Sequence, residues 1–451
     1  MFSRKFSSNI RRKKRMITSL IILLVVFLGL GYSAFSTNLG INGALKVDKY
    51  NPKIYWALQD NDNDSVNETL VLSSEEVTGQ LQGNFTADTS FNRVSQVPWV
   101  TTNNYSSTSN KSYNVTTVNV AKEINPTSTA YWFQGVGYNA STFNANLGKI
   151  NTSQVTKMSY MFAYTGRSAT TWNIGDISDW NTSQVTNMSN MFQYAGYNAT
   201  TFTADLEKLN TSQVTNMSSM FQNAGHNATT WDIGDLSTWD TSQVTDMSSM
   251  FSSSGYSATT WDIGDLSGWG TSQVTDMNRM FYYAGLKATT WDIGDLSEWN
   301  TSQVTDMKYM FNYAGYSATT WNIGDLSGWN TSQVTDMKYM FGYAGYVDTT
   351  WNIGDLSGWN TSKVTNMSYM FYHAGYKATT FNLNLSGWNT SQVTSMGTMF
   401  DNAGSNATTF SITIPRTNGN GINNDTTHMY GSTTSTYADP PTSRTFTVAT
   451  S

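Results

Sequence analysis

Asn330-Thr-Ser-Gln-Val-Thr-Asp-Met-Lys-Tyr-Met-Phe341 is one of nine near-copies of a single block, which begin at Asn151, Asn181, Asn210, Asp240, Gly270, Asn300, Asn330, Asn360 and Asn389. Successive copies start 29 or 30 residues apart, so they are contiguous and leave no room for an inserted domain. A fixed period of this length specifies a solenoid, in which each unit buries its apolar face only against its neighbours.

Extending the block to Thr319–Gly345 gives a whole unit, read as strand, turn and short helix. Thr335 suits a helix N-cap, Asp336 the first turn, and Gly345 the left-handed residue that ends a helix. Met337, Met340 and Phe341 fall at i, i+3 and i+4, one helical face turned to the core. The strand shows in Phe381-Asn-Leu383-Asn-Leu385 and Phe143-Asn-Ala145-Asn-Leu147, which alternate apolar and polar. In 30-residue copies an extra residue beside a glycine, as in Ile323-Gly324-Asp325-Leu326, reads as a bulge that keeps Ile and Leu both inward. The expected fold is therefore α/β: a leucine-rich-repeat-like solenoid with a parallel sheet of about ten strands and short helices, preceded by a small β-rich cap.

Around the array, residues 1–15 carry seven Lys and Arg and no acid, and Ile17–Phe35 is an uncharged apolar run. This reads as a cytoplasmic basic segment followed, at 16–35, by a signal peptide or a membrane anchor with its N-terminus inside. Residues 36–125 read as the β-rich N-terminal cap, 126–415 as the solenoid, and 416–451 as the C-terminal cap and tail. Subtracting the seven N-terminal bases from 25 Lys and Arg leaves 18 against 31 acids, a net charge of −13 for the outward part. That argues against nucleic acid and leaves cations, basic proteins or neutral glycans as partners. With no cysteine, stability must come from stacking.

Leu326-Ser-Gly-Trp-Asn-Thr-Ser-Gln-Val-Thr-Asp-Met-Lys-Tyr-Met-Phe341 resembles the repeat of the BspA-like leucine-rich-repeat surface proteins of bacteria, and the likeness runs over roughly residues 126–415. Gly31-Tyr-Ser-Ala-Phe-Ser-Thr-Asn-Leu-Gly-Ile-Asn-Gly43 also resembles the export segment of such proteins in Gram-positive bacteria. The resemblance implies a leucine-rich-repeat-like solenoid and a role in adhesion or in host and matrix binding. Trp329 and its equivalents depart from it, standing where an asparagine ladder would be.

Two sets of acids are candidate sites. Asp60, Asp62, Asp64 and Glu68, with the backbone carbonyl of Val66, have the spacing of oxygen ligands around one calcium ion, although Ser65 and Val71 depart from an EF-hand; a solvated polar hairpin is the alternative. Asp176, Asp235, Asp265, Asp295, Asp325 and Asp355 recur after the bulge glycine, so stacking aligns them in an acidic strip that faces solvent and could meet a partner. Eighteen of the 21 Met occupy the two repeat positions and read as core rather than as soft-metal ligands. The second Trp of each pair, at a turn, is expected to be partly exposed, with a sugar-stacking row as the less favoured reading. His226, His373 and His428 are the only histidines and form no triad or metal cluster with other motifs, so no enzyme is expected. The functional expectation is an exported surface protein, membrane-anchored or secreted, that binds an extracellular protein or glycan. A structural surface-layer component is the alternative.

Overall fold

The computed structural model describes residues 52–100, 102, 104 and 106–414, together with the backbone of a last strand, Thr445–Val448. The basic segment, the apolar run Ile17–Phe35, the expected strand at 40–47, most of the tail and His428 lie outside the described residues.

The cap opens with β1 (Lys53–Gln59), β2 (Thr69–Ser73) and β3 (Leu81–Thr86), in which β1 pairs antiparallel with both neighbours. Its core is aromatic. Trp99 packs edge-on against Trp56 and Trp132, and its Nε1–H donates to the Trp132 carbonyl at 2.7 Å. From β2 the sheet turns parallel, through β4 (Thr117–Val120) and β5 (Thr142–Asn146) into one short strand per coil. These are β6 (Thr171–Asn173), β7 (Thr201–Thr203), β8 (Thr230–Asp232), β9 (Thr260–Asp262), β10 (Thr290–Asp292) and β11 (Thr320–Asn322). Longer strands follow at β12 (Thr380–Asn384) and β13 (Thr409–Ile414), and β14 (Thr445–Val448) lies parallel to β13.

The repeat is thus a parallel-sheet β-solenoid, and the α/β expectation with a short helix per unit is corrected. Among the described residues the only helical pieces are three-residue 3-10 turns such as Leu326–Gly328. The segment read as a helix is a ribbon of consecutive β-turns. Met340, Gly342 and Ala344 donate their N–H three residues back, to Met337, Tyr339 and Phe341. The alternate N–H groups, of Met337, Tyr339, Phe341 and Tyr343, donate instead to Asn366, Ser368, Met370 and Tyr372 of the next coil at 2.7–3.0 Å. A nine-residue helix would keep all its bonds inside itself and is too short to be stable alone, whereas the ribbon ties each coil to the next. The predicted helix N-cap serves that tie too: both the N–H and the hydroxyl of Thr335 donate to the Thr305 carbonyl, at 2.9 and 3.1 Å. The same geometry, with the segment Pro126–Phe133 included, replaces the helix expected for the first coil.

The facing of the residues holds although the local structure differs. Met337, Met340 and Phe341 are fully buried, since a turn of three residues and a step of one return the chain to the same side. Ile323 and Leu326 are both buried around Gly324, whose φ of +73° is open to glycine without a Cβ clash. Both Trp columns are inside. Trp321 is 4 % and Trp329 2 % exposed, which removes the expected partial exposure and the sugar-stacking row. Trp299, Trp329 and Trp359 stack with planes 2–3° from parallel and donate Nε1–H to the carbonyls of Leu266, Leu296 and Leu326, each at 2.9 Å. An indole standing at the ladder position satisfies a buried carbonyl of the preceding coil while filling the core.

Candidate functional site

Three outward features remain once the core is set. The first is the acidic strip. Asp176, Asp235, Asp265, Asp295, Asp325 and Asp355 each accept the backbone N–H of the serine two residues on, at 2.8–2.9 Å, and so close the turn that leads into the second Trp. Their side chains are exposed, as repulsion between like charges one coil apart requires. Hydrogen bonding by the serine N–H and hydroxyl holds the Asp176 and Asp355 carboxyls below the usual range. A second column adds Asp232, Asp262 and Asp292, which bind the N–H of Gly234, Gly264 and Gly294 at 2.9–3.0 Å. Both columns are therefore structural caps as well as surface charge.

The second is the loop of β1–β2. Asp60, Asp62, Asp64 and Glu68 bring one carboxylate oxygen each within 4.8 Å of one another, a group of acids close enough to share a cation. The loop also satisfies itself. Asp60 accepts from the N–H groups of Asp62, Asn63 and Ser65 and from the Gln80 side chain, and Glu68 accepts from the Asn61 N–H. Partial burial pushes the Asp60 carboxyl up, but these hydrogen bonds outweigh it and leave the group below its ordinary value. Val66, expected to offer its carbonyl, places its N–H on Asp64 Oδ1 at 2.8 Å.

The third feature is absent from the sequence expectations: a tyrosine face on the turn ribbon. Tyr283, Tyr313, Tyr343 and His373 stack in one column with centroids 4.1–4.6 Å apart. Tyr309, Tyr339 and Tyr369 form a second, at 5.3 and 4.4 Å, and Tyr316, Tyr346 and Tyr376 a third, at 4.6 Å. All are half-buried. Arg279 lies 5.0 Å from the centroid of Tyr309, and Lys338 5.8 Å from that of Tyr339. Burial pushes the phenols of Tyr313, Tyr339, Tyr343 and Tyr346 up, to about 12 for Tyr339 and Tyr346, so these four remain protonated at neutral pH. His373 is driven down to about 4 by burial and is neutral.

The backbone shows that the fold does not demand these rings. The first two columns sit in the left-handed region, with φ of +54° to +60° at Tyr309, Tyr313, Tyr339, Tyr343 and Tyr369. Asn or Ser fills equivalent places in the intervening coils, at Asn190, Ser219, Asn223, Ser249 and Ser253, with the same φ, while Tyr131, Tyr160, Tyr164 and Tyr194 hold them in the first coils. Asn tolerates this region and a bulky ring does not, so tyrosine is present against local preference. The clue in the sequence was the recurrence of Tyr at these positions in the later copies.

A β-rich cap leading into stacked coils with a continuous ladder core defines a repeat scaffold. The chain belongs to the family described as Mycoplasma protein of unknown function, DUF285, whose model matches residues 106–232, 197–316 and 283–417. No curated protein and no solved structure matches the chain.

Proposed function

We propose that this chain is an exported bacterial surface protein, akin to the BspA-like proteins, whose solenoid is a binding scaffold for an extracellular protein or glycan. The observation that carries the reading is the tyrosine face: rings held in left-handed backbone where Asn or Ser serves in other coils are retained for what they present outward. Tyrosine gives large contact area at low conformational cost and is enriched at recognition surfaces. The basic segment followed by an apolar run supplies the export or anchoring route. No catalysis is assigned. His226 and His373 are stacked between tyrosines rather than set beside a nucleophile.

The regular array also suits a surface-layer component, and the two readings part in one experiment. The full-length protein in detergent is assayed for saturable binding to immobilised matrix proteins and glycans, and for polymerisation in calcium. Saturable binding by the monomer supports the scaffold; calcium-driven polymerisation without binding replaces it with the layer.

A further inference from the structure

Resting on that reading, we infer that the partner of the tyrosine face is an acidic protein segment, gripped by ring edges and bases of coils 279–377. The faces of the rings are already used. Tyr313 and Tyr343 are 18° from parallel, Tyr339 and Tyr369 3°, and Tyr346 and Tyr376 11°, so each pair closes the faces it shares, and Tyr369 and Tyr376 end their columns. Sugars bind aromatic residues by lying on a ring face, and that face is closed within the columns. What the stack leaves to a partner is the positive ring edge, beside a row of hydroxyls in which those of Tyr313 and Tyr343 bond each other and those of Tyr283 and Tyr372, and the ring edge favours an acceptor-rich partner.

The charge of the same surface points the same way. Arg279, Lys287, Lys308, Lys338 and Lys377 lie on this stretch of ribbon, against four acids: Asp276, Asp306 and Asp336 of the adjoining column and the buried Asp348. Asp306 is paired with Lys308. The region is therefore locally positive on an outward part whose net charge is −13. Lys338 and Arg279 sit over tyrosines, where the ring desolvates the cation without pairing it to an acid. Three coil steps of about 4.8 Å make a surface roughly 15 Å long, which suits an extended peptide of about five residues.

The test measures binding of the full-length protein in detergent to an immobilised glutamate–tyrosine random copolymer, to poly-glutamate, and to dextran as a neutral glycan. The variants are Y313N with Y343N, and R279S with K338S. Asn or Ser occupies each of these positions in another coil, so the fold is conserved, and circular dichroism verifies it. The expected result is saturable, salt-sensitive binding to the copolymer, weakened about 10-fold or more by each double variant, with no binding to dextran. Binding to dextran alone, no binding to either acidic polymer, or acidic binding untouched by both variants overturns the inference. If the wild-type protein binds a matrix protein in the preceding assay and both variants bind it equally, this inference falls and the scaffold stands; if it binds nothing there, the scaffold itself falls.

Discussion

Tyr313 and Tyr343 stack with ring centroids 4.1 Å apart, and both hold left-handed backbone, at φ of +60° and +58°. The stack offsets the conformational cost: an aromatic pair contributes about 0.5–1.5 kcal/mol, and a non-glycine residue in this region costs roughly 1–2 kcal/mol. Replacing both by Asn removes three stacks, Tyr283–Tyr313, Tyr313–Tyr343 and Tyr343–His373, together with the backbone cost of a ring at two positions, so the losses and the relief are of similar size. Y313N with Y343N is expected to change stability by no more than about 1 kcal/mol, measured by thermal unfolding, while a partner-binding face is lost.

Asp348 predicts a stabilising substitution. It is fully buried where Ala288, Ala318 and Ala378 stand in other coils, and its Oδ2 has no partner. Oδ1 takes the N–H and hydroxyl of Thr350 at 3.1 and 3.0 Å, and this coil lacks the strand that β11 and β12 form on either side. Trp321 and Trp351 have unpartnered Nε1–H groups here, whereas those of Trp231 and Trp291 reach the carbonyls of Ala224 and Ala284 at 3.1 Å. Burial pushes the Asp348 carboxyl up, opposed by hydrogen bonds from Thr350 and Thr349. A carboxyl raised in the folded state adds stability only below its unfolded value, near about 3.9, and loses it as pH rises through the folded one. D348A should therefore raise the unfolding midpoint, by about 1–3 kcal/mol at pH 7 and by less at pH 4. A lower midpoint at pH 7 would show that the Thr350 cap outweighs the buried charge.

His373 predicts the opposite slope. Burial holds its imidazole down to about 4, and Nδ1 has no partner between the stacked tyrosines. A depressed histidine contributes stability above its unfolded value of about 6.5 and loses it as pH falls toward the folded value. Unfolding midpoints should drop between about pH 6.5 and 4, and H373Y, which installs the residue of the two preceding coils, should flatten that part of the profile. An unchanged slope in H373Y would assign the drop to other groups.

The period and the inward residues, Ile323 and Leu326 on either side of Gly324 among them, were legible in the sequence because each follows from apolar spacing, which records which side of the chain is buried; the strand itself stops at Asn322, so no bulge forms at Gly324. The helix was misread for the same reason. Met337, Met340 and Phe341 share a side in a helix and equally in a ribbon of turns, and only the destination of the N–H groups separates the two. That destination lies 29 residues away, beyond any local pattern. Trp329 was misplaced because its Nε1–H partner, the Leu296 carbonyl, is likewise in another coil. The acidic strip was placed correctly on the surface, since alignment of equal charges leaves little alternative. The tyrosines recur visibly in the later copies, but their clash with the left-handed backbone, which sets them apart, shows only once φ is known.

Gly315 and Gly328 separate glycines that the fold requires from those it tolerates. Gly315 has φ of +55°, and a Cβ there would lie 2.6 Å from Trp291 Cβ and 2.8 Å from Trp321 Cδ1. Left-handed strain and overpacking against the Trp column add, so G315A should cost roughly 2–4 kcal/mol. At Gly328 the nearest atom is the Ser297 carbonyl oxygen at 3.5 Å, and Glu298 stands at the equivalent place one coil earlier. G328A should leave the midpoint within about 0.5 kcal/mol. Equal losses in the two variants, read by chemical denaturation, would contradict the core geometry.

Calcium tests the loop of Asp60, Asp62, Asp64 and Glu68. Their oxygens converge within 4.8 Å, which concentrates charge, but Asp60 is already saturated by three N–H groups and Gln80. An ion held there would draw on Asp62, Asp64 and Glu68, whose Oε2 also accepts the Asn61 N–H. Affinity is accordingly expected in the weak extracellular range, a Kd of about 10⁻⁴–10⁻³ M, where few charges are rigidly committed to the cation. Calorimetric titration of the full-length protein should give saturable heat in that range, abolished by D62N with D64N, while E207Q, outside the loop, leaves it intact. Absence of heat at millimolar calcium assigns the loop to a solvated hairpin closed by Asp60 alone.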